Sequence, residues 1–348
     1  MNIFNIHDLF AIEIEDGLED TNKIYQFLSS INKGNSRTLK NKIIISKIEI
    51  FNLDNHRLYS DNIYISSHSL IDNNYGIEII IDENNIYLKT KYRFIEWLMY
   101  SIQLMLLKLD CVLIHGAAVS KDKEAIILPS WGGVGKTAIL NDFVKKLDYK
   151  VIGDDLFILK HNGEIFSFPK PMVLYPYHRI LFPEIFKNHI NIIPVKFTGF
   201  VSRLVPRIKK LLSPFPKFLN FVRNNNPQLY WALPSEVFGK EKIEDYSKIK
   251  YAFWLERSKE PTNINYVNNK LESQILGSTI NEFDQRVVFC ANVLLGLGIL
   301  DNNNYLIKWS NLLESGLRNA KTGRININID VKIQNVGTEI ERLLNNEL

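Results

Sequence analysis

Pro129-Ser130-Trp131-Gly132-Gly133-Val134-Gly135-Lys136-Thr137 is the stretch that decides how this 348-residue chain is read. It follows the phosphate-loop pattern GxxxxGK[ST], except that Ser130 stands where the first glycine is expected. Small residues let successive backbone N–H groups wrap phosphate oxygens. The lysine meets the β and γ oxygens, and the hydroxyl offers a ligand to Mg²⁺. Ser130, Gly132, Gly133, Val134 and Gly135 are thus the candidate cradle, Lys136 its cation and Thr137 a metal ligand. The flanks suit this reading. Cys111 to Val119 and Glu124 to Leu128 look like strands joined by the polar turn Ser120-Lys-Asp-Lys123. Lys136 to Leu147 puts Ile139, Leu140, Phe143, Val144 and Leu147 on one helical face. A helix starting at the loop aims the positive end of its dipole at a bound anion. A merely Gly-rich turn would not need this strand–loop–helix context.

Working outward, Tyr149 to Ile152 reads as a short strand that ends in Gly153-Asp154-Asp155, with Asp154 18 residues after Lys136. That distance holds one helix and one return strand. The acidic pair is therefore expected at the C-terminal end of a neighbouring strand, facing the phosphates. Two carboxylates there can divide the work, one coordinating Mg²⁺ and one accepting a proton from an attacking hydroxyl. Without the loop, the same pair would read as a cap or turn. His115-Gly116, 21 residues before Lys136, follows an apolar strand, and the residues alone support a structural and a catalytic histidine equally.

In combination, Leu113-Ile-His-Gly-Ala-Ala-Val119, Ala125-Ile-Ile-Leu-Pro129, the loop and Val151-Ile-Gly-Asp-Asp155 resemble the HPr kinase/phosphorylase family, whose core is related to that of ATP-dependent phosphoenolpyruvate carboxykinase. The close resemblance covers residues 111 to 175 and extends loosely to Tyr251-Ala-Phe-Trp-Leu-Glu-Arg257 and the C-terminal helices. It implies a mixed α/β core with ATP and Mg²⁺ at the loop, Asp154 as the catalytic base, Asp155 as a metal ligand and His115 sharing a proton with the base. Phe168-Pro-Lys-Pro-Met172 matches a Pro-basic-Pro stretch of such proteins, which makes Lys170 a candidate phosphate or substrate contact. The first 100 residues do not resemble the N-terminal domain of the HPr kinases proper, and their Gly-rich signature downstream of the acidic pair is missing. The chain looks more like divergent relatives that phosphorylate peptides, including lasso-type peptides. The expected reaction is transfer of the γ-phosphoryl group of ATP to a Ser or Thr hydroxyl of a protein or peptide. The rival from another class is an ATP-binding switch or adaptor without transfer. A carboxykinase-like enzyme is weaker, because the chain is short and shows no evident second metal site.

The remaining sequence sets the frame. Residues 1–90 read as a β-rich domain, with strands at Lys42 to Phe51, Asn62 to Ser66 and Gly76 to Leu88, the last broken at Asp82-Glu-Asn-Asn85. Residues 91–348 read as the kinase-like domain. Its helix Tyr92 to Leu109 is apolar nearly all round and is expected to be buried. Further on come a strand Tyr251 to Leu255, helices near Glu282 to Leu300 and Tyr305 to Arg318, a strand Arg324 to Ile329 and a final helix Val336 to Asn345. All 12 prolines lie between Pro129 and Pro261, and ten of them between Pro169 and Pro234, marking an insertion at about 169–235. Within it, Val201 to Arg223 carries six basic residues and no acid. This reads as a solvated basic face, as a lid over the phosphates or an acidic peptide, with Arg207, Lys209 and Lys210 as substrate contacts, or as a membrane-surface or nucleic-acid contact. Arg257 could reach the transferred group or pair with a neighbouring acid.

Composition is that of a globular chain, 46% hydrophobic and 23% charged, and a net charge of +4 does not announce a nucleic-acid partner. Cys111 and Cys290 are too few and too far apart for a disulfide framework or zinc site. The N-terminus lacks the pattern of a signal peptide, and no apolar run reaches the ~18 to 20 residues of a membrane span. A cytoplasmic protein is expected, and a homo-oligomer is compatible with the sequence.

Overall fold

The structure, a computed structural model, describes residues 2–18, 28, 39–91, 94–168, 170–186, 230–298 and 305–345. The basic stretch Val201 to Arg223, with Arg207, Lys209 and Lys210, lies outside the described residues. The fold is mixed α+β, with two eight-stranded sheets and a two-stranded pair among the described residues. Residues 1–170 and 244–348 form one compact unit and residues 171–243 a second.

In the first unit, β1 (Asn2–Ile6), β2 (Phe10–Ile14), β3 (Lys42–Lys47), β4 (Arg57–Ser60), β5 (Ile63–Ile65), β6 (Ser69–Asp72), β7 (Ile77–Ile81) and β8 (Asn85–Thr90) build one sheet in the order β1-β2-β3-β8-β7-β6-β5-β4. β3 runs parallel to both its neighbours and the rest is an antiparallel meander. The turn Asp82-Glu-Asn-Asn85 does join two strands, because the Asp82 carboxylate accepts from the Asn84 and Asn85 N–H groups. Strands β1, β2, β4 and β6 were not singled out by the alternation of the sequence. In β2 and β6 every residue is buried, so no alternation exists to be read.

The second sheet contains β9 (Cys111–Lys121), β10 (Glu124–Pro129), β11 (Lys150–Gly153), β12 (Leu156–Lys160) and β13 (Glu164–Ser167). Beyond the second unit's pair β14 (Met172–Leu174) and β15 (Tyr230–Ala232), it adds β16 (Tyr246–Ser258), β17 (Asn263–Asn265) and β18 (Lys321–Asn328). Pairings run β10–β9–β12–β13–β16 and return from β16 to β10, so five strands close a circuit. On its far half β16 pairs in parallel with β18. Helix α1 (Ile95–Lys108) buries ten of its 14 residues, as its all-round apolarity requires, and packs on β3 and β8 of the first sheet and β9 of the second. Helix α2 (Lys136–Leu147) follows the loop.

The second unit, among the described residues, holds α3 (Pro183–Phe186) and α4 (Pro234–Phe238) around a small core of Met172, Leu174, Phe182, Phe186 and Ala232. The first unit resumes with α5 (Leu271–Ile280), α6 (Gln285–Gly296), α7 (Tyr305–Leu317) and α8 (Val336–Asn345). Helix α6 begins three residues later than the expected Glu282. Asp284 ends the preceding turn and caps it, accepting from the N–H groups of Arg286 (2.9 Å) and Val287 (3.2 Å). Helix α8 is tied to α2: the Asp142 carboxylate accepts from the N–H and hydroxyl of Thr338, and Gly337 lies where a Cβ would press on Ile139 and Asp142. Among the described residues no helix is long and apolar enough to cross a membrane, and Cys111 and Cys290 are both buried and free.

One ion pair holds α6 to the first sheet. Asp72 on β6 is fully buried, and Arg286 grips both its oxygens at 2.8–3.0 Å while also bonding Asp61. Removing the cation strands a buried carboxylate. Arg286→Leu is expected to lower unfolding stability by about 3–5 kcal/mol, read from urea or thermal unfolding, and Asp72→Asn should restore part of the loss in that background.

Candidate functional site

Strand β9 is the axis of the site. Its Val119 faces Ile126 of β10 and Val151 of β11, so those two strands flank it, both antiparallel to it and ending at the same end of the sheet. The phosphate-loop stretch leaves β10 there, and the acidic pair leaves β11 beside it. Two glycines make this proximity possible. A Cβ on Gly116 would lie 2.8 Å from the Pro129 Cα, and one on Gly153 would lie 2.5 Å from the Leu156 carbonyl oxygen. The glycines of His-Gly and Gly-Asp-Asp are thus explained by close backbone approach.

Within the loop, Gly133 and Gly135 adopt left-handed φ of +84° and +97°. Gly135 is the N-cap of α2 and has no side chain to cap it; its carbonyl already takes the Ala138 and Ile139 N–H groups, which leaves those of Lys136 and Thr137 for an incoming acceptor. Ser130 has no left-handed φ and is fully buried, so the missing glycine costs the backbone nothing at that position. Its hydroxyl has no hydrogen-bond partner among the described residues. Trp131 stands half exposed beside the loop, edge-on to the buried Trp254 at 6.0 Å between centroids.

The charged side chains converge. Lys136 Nζ lies 3.1 Å from His115 Nε2 and donates to the Trp131 carbonyl at 3.4 Å. The Thr137 hydroxyl donates to Asp154 Oδ2 at 3.3 Å, while Asp154 Oδ1 is buried without a partner among the described residues. His115 Nε2 faces Asp155 Oδ1 at 3.1 Å and Glu282 Oε1 at 3.4 Å. Lys170 bonds Asp155 Oδ2 and reaches Glu282 Oε2 at 3.7 Å. His115 is held from behind by its N–H, which donates to the Thr279 hydroxyl of α5, and that hydroxyl in turn donates to the Ile275 carbonyl.

Protonation follows from the placement. Burial, reinforced by the neighbouring Asp155 charge, pushes the Asp154 carboxyl up to about 7. Burial also works against the Asp155 charge, yet the His115 hydrogen bond and the Lys170 ammonium hold it well below the usual carboxylate range. Burial lowers Lys136, against the attraction of both aspartates. Lys170, equally subject to burial, is nonetheless raised by Asp155.

His115, Lys136, Thr137, Asp154, Asp155 and Lys170 are therefore brought together, but not in the expected partnerships. The Thr137 hydroxyl meets Asp154 and the His115 ring meets Asp155, whereas the family resemblance puts Thr137 with Asp155 and His115 with Asp154. Arg257 does not join them; its Nη2 donates to the carbonyls of Asn328, Ile329 and Val331, which shape the turn after β18. Glu282 joins unexpectedly from the turn between α5 and α6. Its oxygen lies with those of Asp155 and the His115 nitrogen in a donor set spanning no more than 4.8 Å, which the sequence spacing does not reveal. The Thr279 contact, three residues before it, helps bring that turn to β9. No protein-family model matches the chain, and no curated protein matches it either.

The raised Asp154 carboxyl has a stability consequence. Unfolded, it ionises near its ordinary 3.8; folded, it keeps its proton to about 7, so wild-type stability falls as pH rises between those values. Asp154→Asn removes this loss. Without nucleotide or divalent ion, its melting temperature relative to wild type is expected to climb between pH 4 and pH 8, as followed by calorimetry.

Proposed function

We propose that this chain is an ATP-dependent kinase of the HPr-kinase-like kind, transferring the γ-phosphoryl group to a Ser or Thr hydroxyl of a protein or peptide, lasso-type peptides included. One observation carries the reading: a loop with left-handed Gly133 and Gly135 opens onto α2, and its lysine and threonine lie in one cluster with two adjacent aspartates, a histidine and a second lysine. Phosphoryl transfer asks for little more than positioning and charge neutralisation, and these are the groups that supply both.

Asp154 Oδ1 and Ser130 Oγ, buried and without a partner among the described residues, and the Lys136 and Thr137 N–H groups at the start of α2 suit a divalent ion and the phosphate it accompanies. Thr137 and Asp154 would hold Mg²⁺, which when bound neutralises charge on the phosphate oxygens. Lys136 would grip the same oxygens. Asp155 is more exposed than Asp154 and stays ionised, so it is the carboxylate that can accept a hydrogen bond from an acceptor hydroxyl and orient it. His115 fixes its other oxygen. A loose transition state needs an oriented hydroxyl more than a strong base, which suits a carboxylate of depressed basicity. This division exchanges the roles that the family resemblance gives the two aspartates.

ATP with Mg²⁺ is expected to raise the melting temperature through ligand linkage, by about 2.7 kcal/mol of stability at 100 times Kd, and Lys136→Ala should abolish the rise. Asp154→Asn should lose the Mg²⁺-dependent part of that stabilisation. Asp155→Asn should keep it and lose transfer of labelled γ-phosphate to an acceptor peptide by several orders of magnitude. The opposite pattern would return the roles to the order the resemblance implies. Nucleotide binding with no transfer to any acceptor would favour the switch reading.

A further inference from the structure

Glu282 enters the site from a turn that the phosphate-loop pattern does not include, and its position has a consequence. Asp155, His115, Glu282 and Lys170 form a closed ring: Asp155 to His115 at 3.1 Å, His115 to Glu282 at 3.4 Å, Glu282 to Lys170 at 3.7 Å, and Lys170 back to Asp155. The ring alternates carboxylate, imidazole, carboxylate and ammonium. His115 is the anchored member, 3% exposed at its side chain, and Lys136 meets it from the loop side at 3.1 Å. The other three are between 20% and 29% exposed, so they form the mouth.

With Asp154, the pocket holds three carboxylates against two lysines. A triphosphate adds several negative charges close to Lys136, and the cluster's second lysine is Lys170, held by two carboxylates that can share it with a stronger anion. Lys136 has no such freedom, being buried against His115.

Resting on the phosphoryl-transfer reading, we propose that Lys170 is a mobile counter-ion, stored between Asp155 and Glu282, that moves onto the terminal phosphate of a bound nucleoside triphosphate, and that Glu282 is the positioning residue that sets how readily it leaves. The transfer does two things at once. It neutralises the phosphate that a diphosphate lacks, and it uncovers Asp155 Oδ2 for the acceptor hydroxyl while Oδ1 stays on His115. Lys170 is thereby the residue that separates triphosphate from diphosphate. No bond is made or broken in this step; only ion-pair partners change.

The test is calorimetric affinity, with Mg²⁺, for ADP and for an ATP analogue with a non-hydrolysable β,γ link. The full-length wild type is compared with Lys170→Met, Glu282→Gln, Glu282→Asp and the Lys170→Met/Glu282→Gln double variant. Wild type should prefer the triphosphate, and Lys170→Met should lose about tenfold of that preference. Glu282→Gln, which weakens one hold on Lys170, should increase the preference by about threefold. Glu282→Asp, which keeps the charge, should return it towards wild type. In the Lys170→Met background Glu282→Gln should change nothing, because its effect passes through that lysine. A Glu282→Gln effect that persists without Lys170, or that shifts both nucleotides alike, would overturn the proposal and leave Glu282 a structural or general electrostatic residue. An unchanged preference in Lys170→Met would overturn it as well, with the kinase reading intact. A folded wild type that binds neither nucleotide would remove that reading and this one together.

Discussion

Along the eleven residues of β9, ten of them buried, backbone hydrogen bonds have to be met on both edges, and the site exists because they are met by two different sets of strands. One edge takes β10 over Gly116 to Lys121. The other takes β12 over Cys111 to His115 and then β11 over Ala118 to Ser120. The exchange between β11 and β12 happens at Asp154-Asp155, and the loop departs from β10 at the same level. Where β10 has not yet begun, at His115, the free N–H is taken by Thr279 instead. That contact also brings in the turn that carries Glu282. Ladder geometry thus collects three carboxylates and two lysines at one place, an arrangement whose mutual repulsion and desolvation would otherwise drive it apart.

The charges survive there because each has been given a counter-charge or a proton. Asp155 is matched by Lys170 and His115, and Lys136 lies close to both aspartates. Asp154, the most deeply set, is neutralised by keeping its proton up to about 7 rather than by pairing. A pocket balanced in this way is costly in stability and responsive to any anion or cation that enters it, a usual mark of a functional site rather than of a structural ion pair. The Asp72–Arg286 pair is the contrast within the same unit: saturated with bonds and distant in kind, it holds a helix to a sheet.

How much of this was legible beforehand follows physical lines. The loop, its strands, the helix after it and the acidic pair are local patterns, and the structure places them close to their expected bounds. Gly116, Gly133, Gly135 and Gly153 sit where only a small residue fits or where φ is left-handed, so their identity carried geometric information. Strands β2 and β6 were hidden because burial on both faces erases alternation. β16 runs from Tyr246 to Ser258, well beyond the apolar core Tyr251 to Leu255, because its polar first half is stabilised by β13 and β10 rather than by its own composition. Glu282 was invisible for a different reason: it depends on a hydrogen bond between residues 164 positions apart. The partnerships of Asp154 and Asp155 were equally out of reach, since adjacent residues differ only in which way the backbone turns them. Arg257 shows the reverse hazard, a charged residue at a strand end whose bonds all go to a neighbouring turn.

Helix α8 bears on the order in which these parts can assemble. Helix α2 is fastened through Asp142 to Thr338, 196 residues further along the chain, and Tyr149, just past its end, bonds Glu341 at a separation of 192. Lys146 adds the Gln334 carbonyl to the same seam. Contacts of such length pay their loop-closure entropy late, after the hairpin β9–β10 and the short β11–β12 connection have formed. Helix α2 can therefore dock on its strands early, but its seam with α8 forms only when a segment from the opposite end of the unit arrives. Completion of the pocket is in this sense a closing event of folding rather than its nucleus.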